Sequence, residues 1–160
     1  MTALIFGHDE KLSAWCRNRI EYAEDFGPCR AIGMASDDRA KLWGVITYYQ
    51  YSESAGTCMF ALASINPRWA TRETIRRLLS VPFMQYKVRK LMCCIASNNE
   101  RSLRLAKGLG FKREAILRDQ FADGVHGVVF SLLRGEFDAR WGREDSFNRF
   151  RRRQTIKLAA

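Results

Sequence analysis

A chain of 160 residues, 47% hydrophobic and 12% aromatic, carries enough apolar side chain for one packed core and is unlike a disordered chain. Its net charge of +10 suits a polyanion: a cofactor phosphate, a nucleic acid or an acidic protein face. The apolar run at residues 3–6 is too short for a secretory signal, and nothing approaches the roughly 20 apolar residues of a membrane span. A cytoplasmic protein with no membrane partner is therefore expected.

In chain order, Asp9 is placed to cap a first helix whose apolar face is Leu12, Trp15, Cys16, Ile20 and Ala23. Gly27-Pro28 is placed to end it. Strands are expected over residues 29–36, 42–51 and 57–65, with turns at 37–39 and 52–56. The third strand is apolar on both faces, which predicts a central place in the sheet. Residues 66–69 break the pattern. A helix is expected from about Ala70, with Ile75, Leu78 and Leu79 on one face, until Pro82 interrupts it and residues 83–88 make an offset turn. The five cysteines (Cys16, Cys29, Cys58, Cys93, Cys94) form no Cys-x-x-Cys pair and read as small buried hydrophobes. The two histidines, His8 and His126, are too far apart to suggest metal-ligand spacing.

The richest stretch is residues 90–119. An apolar run over 90–96 has strand length. Ser97-Asn98-Asn99-Glu100 has the form of a capping box, with Asn98 rather than Asn99 the favoured additional cap. Leu103, Ala106 and Leu109 keep helical spacing, Gly110 supplies a left-handed closing residue, and Phe111, Ala115 and Leu117 alternate as on a strand. Asp123-Gly124 signals a hairpin, and residues 127–133 make the last strand. The order (helix, three strands, helix, strand, helix, two strands) predicts an α+β domain over residues 1–137. Residues 138–160 read as a basic, aromatic C-terminal extension.

Asn99-x-x-Ser102, Leu109-Gly110-Phe111, Glu114 and Leu117-Arg118-Asp119 together resemble the second half of the GCN5-related N-acetyltransferase (GNAT) superfamily, most nearly its branch acting on ribosomal-protein N-termini. The match runs over roughly residues 42–137. The Asn-x-x-Ser helix also resembles small, degenerate members encoded by tailed bacteriophages. The resemblance implies a mixed, mostly antiparallel sheet with a splayed central strand pair and helices on both faces. It implies acetyl transfer from acetyl-coenzyme A to a primary amine on a protein N-terminus, a lysine or a small molecule. Residue by residue, it assigns the strand edge at Leu62 and Ala63, the phosphate turn at Arg68, Trp69, Ala70, Thr71 and Arg72, and the pantetheine-binding Asn99 to the cofactor. Ser102 becomes the candidate acid or water-holding group near the sulfur, and Glu114 the matched catalytic carboxylate. His126 and Glu53 are further candidate bases. The phosphate turn has no glycine, and the position at which many members carry an acidic tyrosine is Ala106.

Two other readings stand beside this one. The chain is alternatively a catalytically degenerate binding or assembly protein, such as a virion component. It is alternatively a nucleic-acid partner acting through Arg149, Arg151, Arg152 and Arg153, because arginines interleaved with aromatics suit a phosphate backbone.

Overall fold

The computed structural model describes residues 1–142. Seven strands, β1 (Ala3–Ile5), β2 (Cys29–Ala35), β3 (Leu42–Ser52), β4 (Thr57–Ser64), β5 (Lys90–Ala96), β6 (Lys112–Ala122) and β7 (Val125–Leu133), form one sheet in the order β1-β2-β3-β4-β5-β7-β6. All neighbours are antiparallel except β4 and β5. The helices are α1 (Asp9–Arg17), α2 (Arg72–Ser80), α3 (Glu100–Leu109) and α4 (Arg134–Trp141). This is the expected α+β fold, with β4 central as its two apolar faces require.

The sheet divides the core by side-chain parity. Val45 and Ala63 point to the face covered by α1, where they pack with Leu12 and Cys16. Ile46, Tyr48, Cys58, Leu91, Cys93, Val128 and Phe130 point to the opposite face and pack with residues of α2, α3 and α4. Phe83, in the π turn Val81–Gln85 that Pro82 imposes on the end of α2, stacks on Phe137 of α4 with ring centroids 4.6 Å apart. Burying each such ring stabilises the fold by about 1.5–3 kcal/mol, and the stacking adds about 0.5–1.5 kcal/mol.

Several local expectations need correction. A short first strand, β1, forms from the apolar run at the N-terminus because the edge of β2 is available to it. Asp9 does not cap α1: the N-cap is His8, which makes no side-chain cap. The Asp9 carboxylate instead accepts the Ala31 amide at 2.8 Å and the Arg30 guanidinium at 2.9 Å, pinning the helix start to β2. Helix α1 stops at Arg17, and residues 18–28 leave as an irregular segment, so Ile20 and Ala23 do not continue the helix. Helix α2 begins at Arg72, because Pro67–Trp69 forms a separate 3-10 turn and Thr71 takes the N-cap. The expected boundary at residue 137 falls inside α4. Phe137 and Trp141, four residues apart, share one buried face, and the Trp141 indole donates to the Leu109 carbonyl at 3.0 Å.

Candidate active site

The sheet opens between β4 and β5. Their parallel pairing covers only Thr57 with Lys90, Cys58 with Leu91 and Met59 with Met92, although both strands run on past these pairs. The closed end is tied by the tight turn before β4. The Gly56 carbonyl accepts the Arg89 amide at 2.7 Å and the Lys90 amide at 3.2 Å, and the Arg89 side chain packs against Gly56, which has a φ of +63°.

Main-chain direction shows which residues face the opening. Ile65 donates its amide to Trp43 of β3 at 2.8 Å, and the Ala63 carbonyl lies against Gly44 of the same strand. Strand alternation then turns the amide and carbonyl of Leu62, and of Phe60 and Ser64, toward the gap. On the other side, Ser97 bonds His126 at 2.8 Å, so Cys94 and Ala96 turn their main-chain groups to the gap. Leu62 and Cys94 therefore present unpaired strand edges to one another. Ala63, expected to share this role, is turned toward β3.

The turn after β4 spends several of its own donors. The Asn66 side chain accepts the Arg68 amide at 3.0 Å, and the Thr71 hydroxyl accepts the Thr74 amide at 3.2 Å. Ala70 and Thr71 donate to Pro67 and Trp69 carbonyls at 3.0 and 2.8 Å. Among the described residues this leaves the amides of Arg72 and Glu73 at the start of α2 for an anion. Trp69, 3% exposed, turns into the core and does not crowd the loop, so the turn forms without glycine. Arg68 and Ala70 are exposed. The Arg72 guanidinium stands over the Trp141 ring at 5.0 Å and donates to the Arg140 carbonyl at 3.1 Å.

Helix α3 starts at the open end of β5. Its N-cap is Asn99, whose side-chain oxygen accepts the Ser102 amide at 3.1 Å. The expected Ser97–Glu100 box does not form: the Ser97 hydroxyl accepts the His126 amide at 3.0 Å, holding β5 to β7. Nor does Asn98 act as the cap. Gly110 closes the helix in the left-handed region, with φ of +98°, as the sequence predicts. Ala106, at the tyrosine position, is buried in the core.

Glu114 stands on the edge strand β6, away from the gap. It pairs with Lys90 at 2.6 Å and accepts the Ser131 hydroxyl. The bonds from Lys90 and then Ser131 hold its carboxyl below the usual carboxylate range, so it is a fixed, ionised partner. The other base candidates are also occupied or remote. His126 accepts the Asp119 amide on Nδ1 at 3.0 Å, and Glu53 lies in the turn at the closed end. Arg149, Arg151, Arg152 and Arg153 lie outside the described residues.

Sequence reasoning missed the α1 side of the gap. Tyr49 of β3 lies there, in contact with Phe26 at 4.9 Å between centroids. Burial pushes the Tyr49 phenol up to about 12. Tyr22 of the segment after α1 stacks on Phe121 of the β6–β7 hairpin, 5.5 Å between centroids. The sequence signal was an aromatic residue in the polar segment after α1 and another at the end of β6.

A sheet whose strand pair parts in mid-sheet beside a helix N-terminus is the architecture of the acetyltransferase fold. The sequence pattern described as the Acetyltransferase (GNAT) domain matches residues 8–126, and the chain belongs to that family. Members of this family are N-acetyltransferases that act on an amine and use acetyl-coenzyme A. It is similar to the SPbeta prophage-derived uncharacterized N-acetyltransferase YokL of Bacillus subtilis, 28% identical over 134 residues, covering 80% of this chain and 72% of that protein. Among solved structures it is similar to the spermidine/spermine N-acetyltransferase SpeG from Vibrio cholerae, with a TM-score of 0.70 at 14% identity over 87% of this chain and 96% of that one. A putative acetyltransferase aligns with a TM-score of 0.62 at 20% identity over 71% of this chain and 63% of that one. These two structures share the fold.

Proposed function

We propose that the chain transfers an acetyl group to a primary amine inside the gap between β4 and β5. The observation that carries this reading is the end of β4–β5 pairing at Met59 and Met92. It leaves two facing strand edges whose polar groups need partners, and the amides of a pantetheine arm match them. Leu62 offers main-chain groups from β4. Asn99 offers its side-chain amide nitrogen, since its oxygen already caps α3. The Arg72 and Glu73 amides, with Arg68 beside them, suit the phosphates. Bound acetyl-coenzyme A supplies a thioester, whose acetyl carbon bonds the amine nitrogen as the C–S bond breaks and one proton passes from amine to sulfur. Ser102, half-buried at the first turn of α3, is assigned to hold or deliver that proton. No carboxylate or histidine among the described residues is assigned as a base, because Glu114 and His126 are committed elsewhere. Only the free amine reacts, so water takes the extra proton of an arriving ammonium before the step, and the proton lost as the N–C bond forms goes to the sulfur.

The amine belongs to a protein N-terminus, a lysine or a small molecule. The name of the Vibrio cholerae protein makes spermidine the first acceptor to assay. The deciding experiment is thermal unfolding with acetyl-coenzyme A. A stabilisation of about 2.7 kcal/mol is expected at 100 times the dissociation constant. No stabilisation at millimolar cofactor overturns the reading in favour of a degenerate, non-catalytic protein.

A further inference from the structure

Near the turn between β6 and β7, several residues stand opposite one. Leu117 pairs with Gly127 and Ala122 with Val125, so residues 118–121 bulge opposite His126 alone. The main chain of His126 is spent on its other neighbour. Its amide donates to the Ser97 hydroxyl at 3.0 Å, and its carbonyl accepts the Ser97 amide at 2.8 Å. The imidazole therefore serves the bulge in place of a main-chain group: Nδ1 accepts the Asp119 amide at 3.0 Å. Asp119 has a φ of +50°, a left-handed conformation that a residue with a Cβ keeps only where its surroundings fix it. Its Oδ1 accepts the Gly124 amide at 3.1 Å, which is the second tie on the bulge. So held, the bulge aims Gln120 at Gly127. A Cβ on Gly127 would lie 2.9 Å from Gln120 Cγ and 2.7 Å from Cys94 Sγ, so Gln120 and the Cys94 thiol share the space over that glycine.

We propose that His126 is a proton-operated latch: neutral, it holds the bulge closed over Cys94, and protonated, it releases the bulge and uncovers that thiol. A neutral imidazole has one bare nitrogen. Because Nδ1 accepts, the ring hydrogen sits on Nε2, and a proton from solvent adds at Nδ1. The ring is open to it, with 41% of its side-chain surface exposed. Once Nδ1 carries a hydrogen it meets the Asp119 amide as donor against donor, and the N–H···N bond breaks. Asp119 Oδ1, 3.4 Å from Nδ1, accepts the new N–H and is drawn from Gly124. Both ties on the bulge are exchanged for one exposed ion pair, which holds weakly. Asp119 is the charged group that faces the ring from β6, and the neutral Ser97 hydroxyl faces its main chain from the end of β5. Arg118 and Asp123, the other charges of the hairpin, are exposed and opposite in sign. Glu100, at the start of α3, is paired with Arg104 at 3.2 Å. His126 is a positioning residue here and takes no proton from a substrate. The latch goes beyond the acetyl-transfer reading and does not rest on it.

The test follows alkylation of Cys94 by N-ethylmaleimide, located by tandem mass spectrometry. Two proteins are compared at one pH, so that the thiolate fraction cancels. His126→Asn keeps a side-chain acceptor that takes no proton and should stay latched at every pH. His126→Leu has no acceptor and should stay open. At about pH 8 the wild type should react like His126→Asn and several-fold more slowly than His126→Leu, and at about pH 5.5 it should react like His126→Leu, since histidine changes charge in that interval. Nitrogen NMR of the wild-type ring tests the premise without a variant: the neutral ring should carry its hydrogen on Nε2. A neutral ring with its hydrogen on Nδ1 overturns the latch, as does a wild type that matches His126→Asn at both pH values. These readouts need no cofactor, so failure of the latch is distinct from failure of acetyl-coenzyme A to bind.

Discussion

The side-chain oxygen of Asn99 accepts the main-chain amide of Ser102 at 3.1 Å. One hydrogen bond thus joins the two residues that carry the family's pattern in α3. It fixes the first turn of the helix and leaves the Asn99 amide nitrogen and the Ser102 hydroxyl as the groups available to a ligand.

The two duties of Asn99 separate by substitution. Asn99→Asp keeps a capping oxygen but loses the amide donor, so stability should stay near wild type while affinity for acetyl-coenzyme A falls. Asn99→Ala loses both and should also cost about 1 kcal/mol of stability. Calorimetric titration and thermal unfolding on the same samples check this. Equal cofactor affinity in Asn99→Asp and the wild type removes Asn99 from the cofactor site.

Ser102 should behave differently. Ser102→Ala retains the amide that the cap uses, so stability and cofactor affinity should hold while kcat falls. Steady-state kinetics decide. If the variant loses cofactor affinity instead, the hydroxyl binds and does not serve the sulfur.

The Lys90–Glu114 pair predicts an acid-limb effect. A carboxyl whose folded value lies below its ordinary 4.5 binds fewer protons in the folded than in the unfolded state. Its contribution is full above the ordinary value and is lost as pH falls through the depressed one. Glu114→Gln should therefore be less stable than wild type near neutrality, with the difference shrinking below about pH 4.5. Denaturant midpoints across that range measure it. Turnover of Glu114→Gln at neutral pH should remain within a few-fold of wild type. A loss of several orders of magnitude would restore Glu114 as a catalytic base.

Trp141 ties α4 to the domain through burial, its bond to Leu109 and its contact with Arg72. Trp141→Ala should cost about 3–5 kcal/mol, the usual range for emptying a buried aromatic site. Trp141→Phe should recover part of that loss but not the indole hydrogen bond. Urea unfolding measures both. A near-neutral Trp141→Ala would show that the domain does end near residue 137.

Element type and order were legible from local signals. Residues 57–64 form the central strand because they are apolar on both faces. Gly110 closes α3 because only glycine takes φ of +98° without strain. Asn99-x-x-Ser102 and Leu109-Gly110-Phe111 pointed to the family because they sit at fixed steps within one strand-helix-strand unit. The choice of cap was not legible. Ser97, Asn98 and Asn99 are all competent acceptors, and Ser97 was claimed by the His126 amide across the sheet. Asp9 was lost to β2 in the same way, and Glu114 was drawn into an ion pair with a residue 24 positions away.

By itself, then, the chain determined most of its helices and strands, though not β1 or α4, and a family pattern, because those rest on side-chain periodicity and on backbone preferences within a few residues. Only the tertiary structure decided where β4 and β5 part, which edge groups face the gap, and that Tyr22 meets Phe121. Those relations depend on contacts between segments far apart in sequence, and no local pattern encodes them.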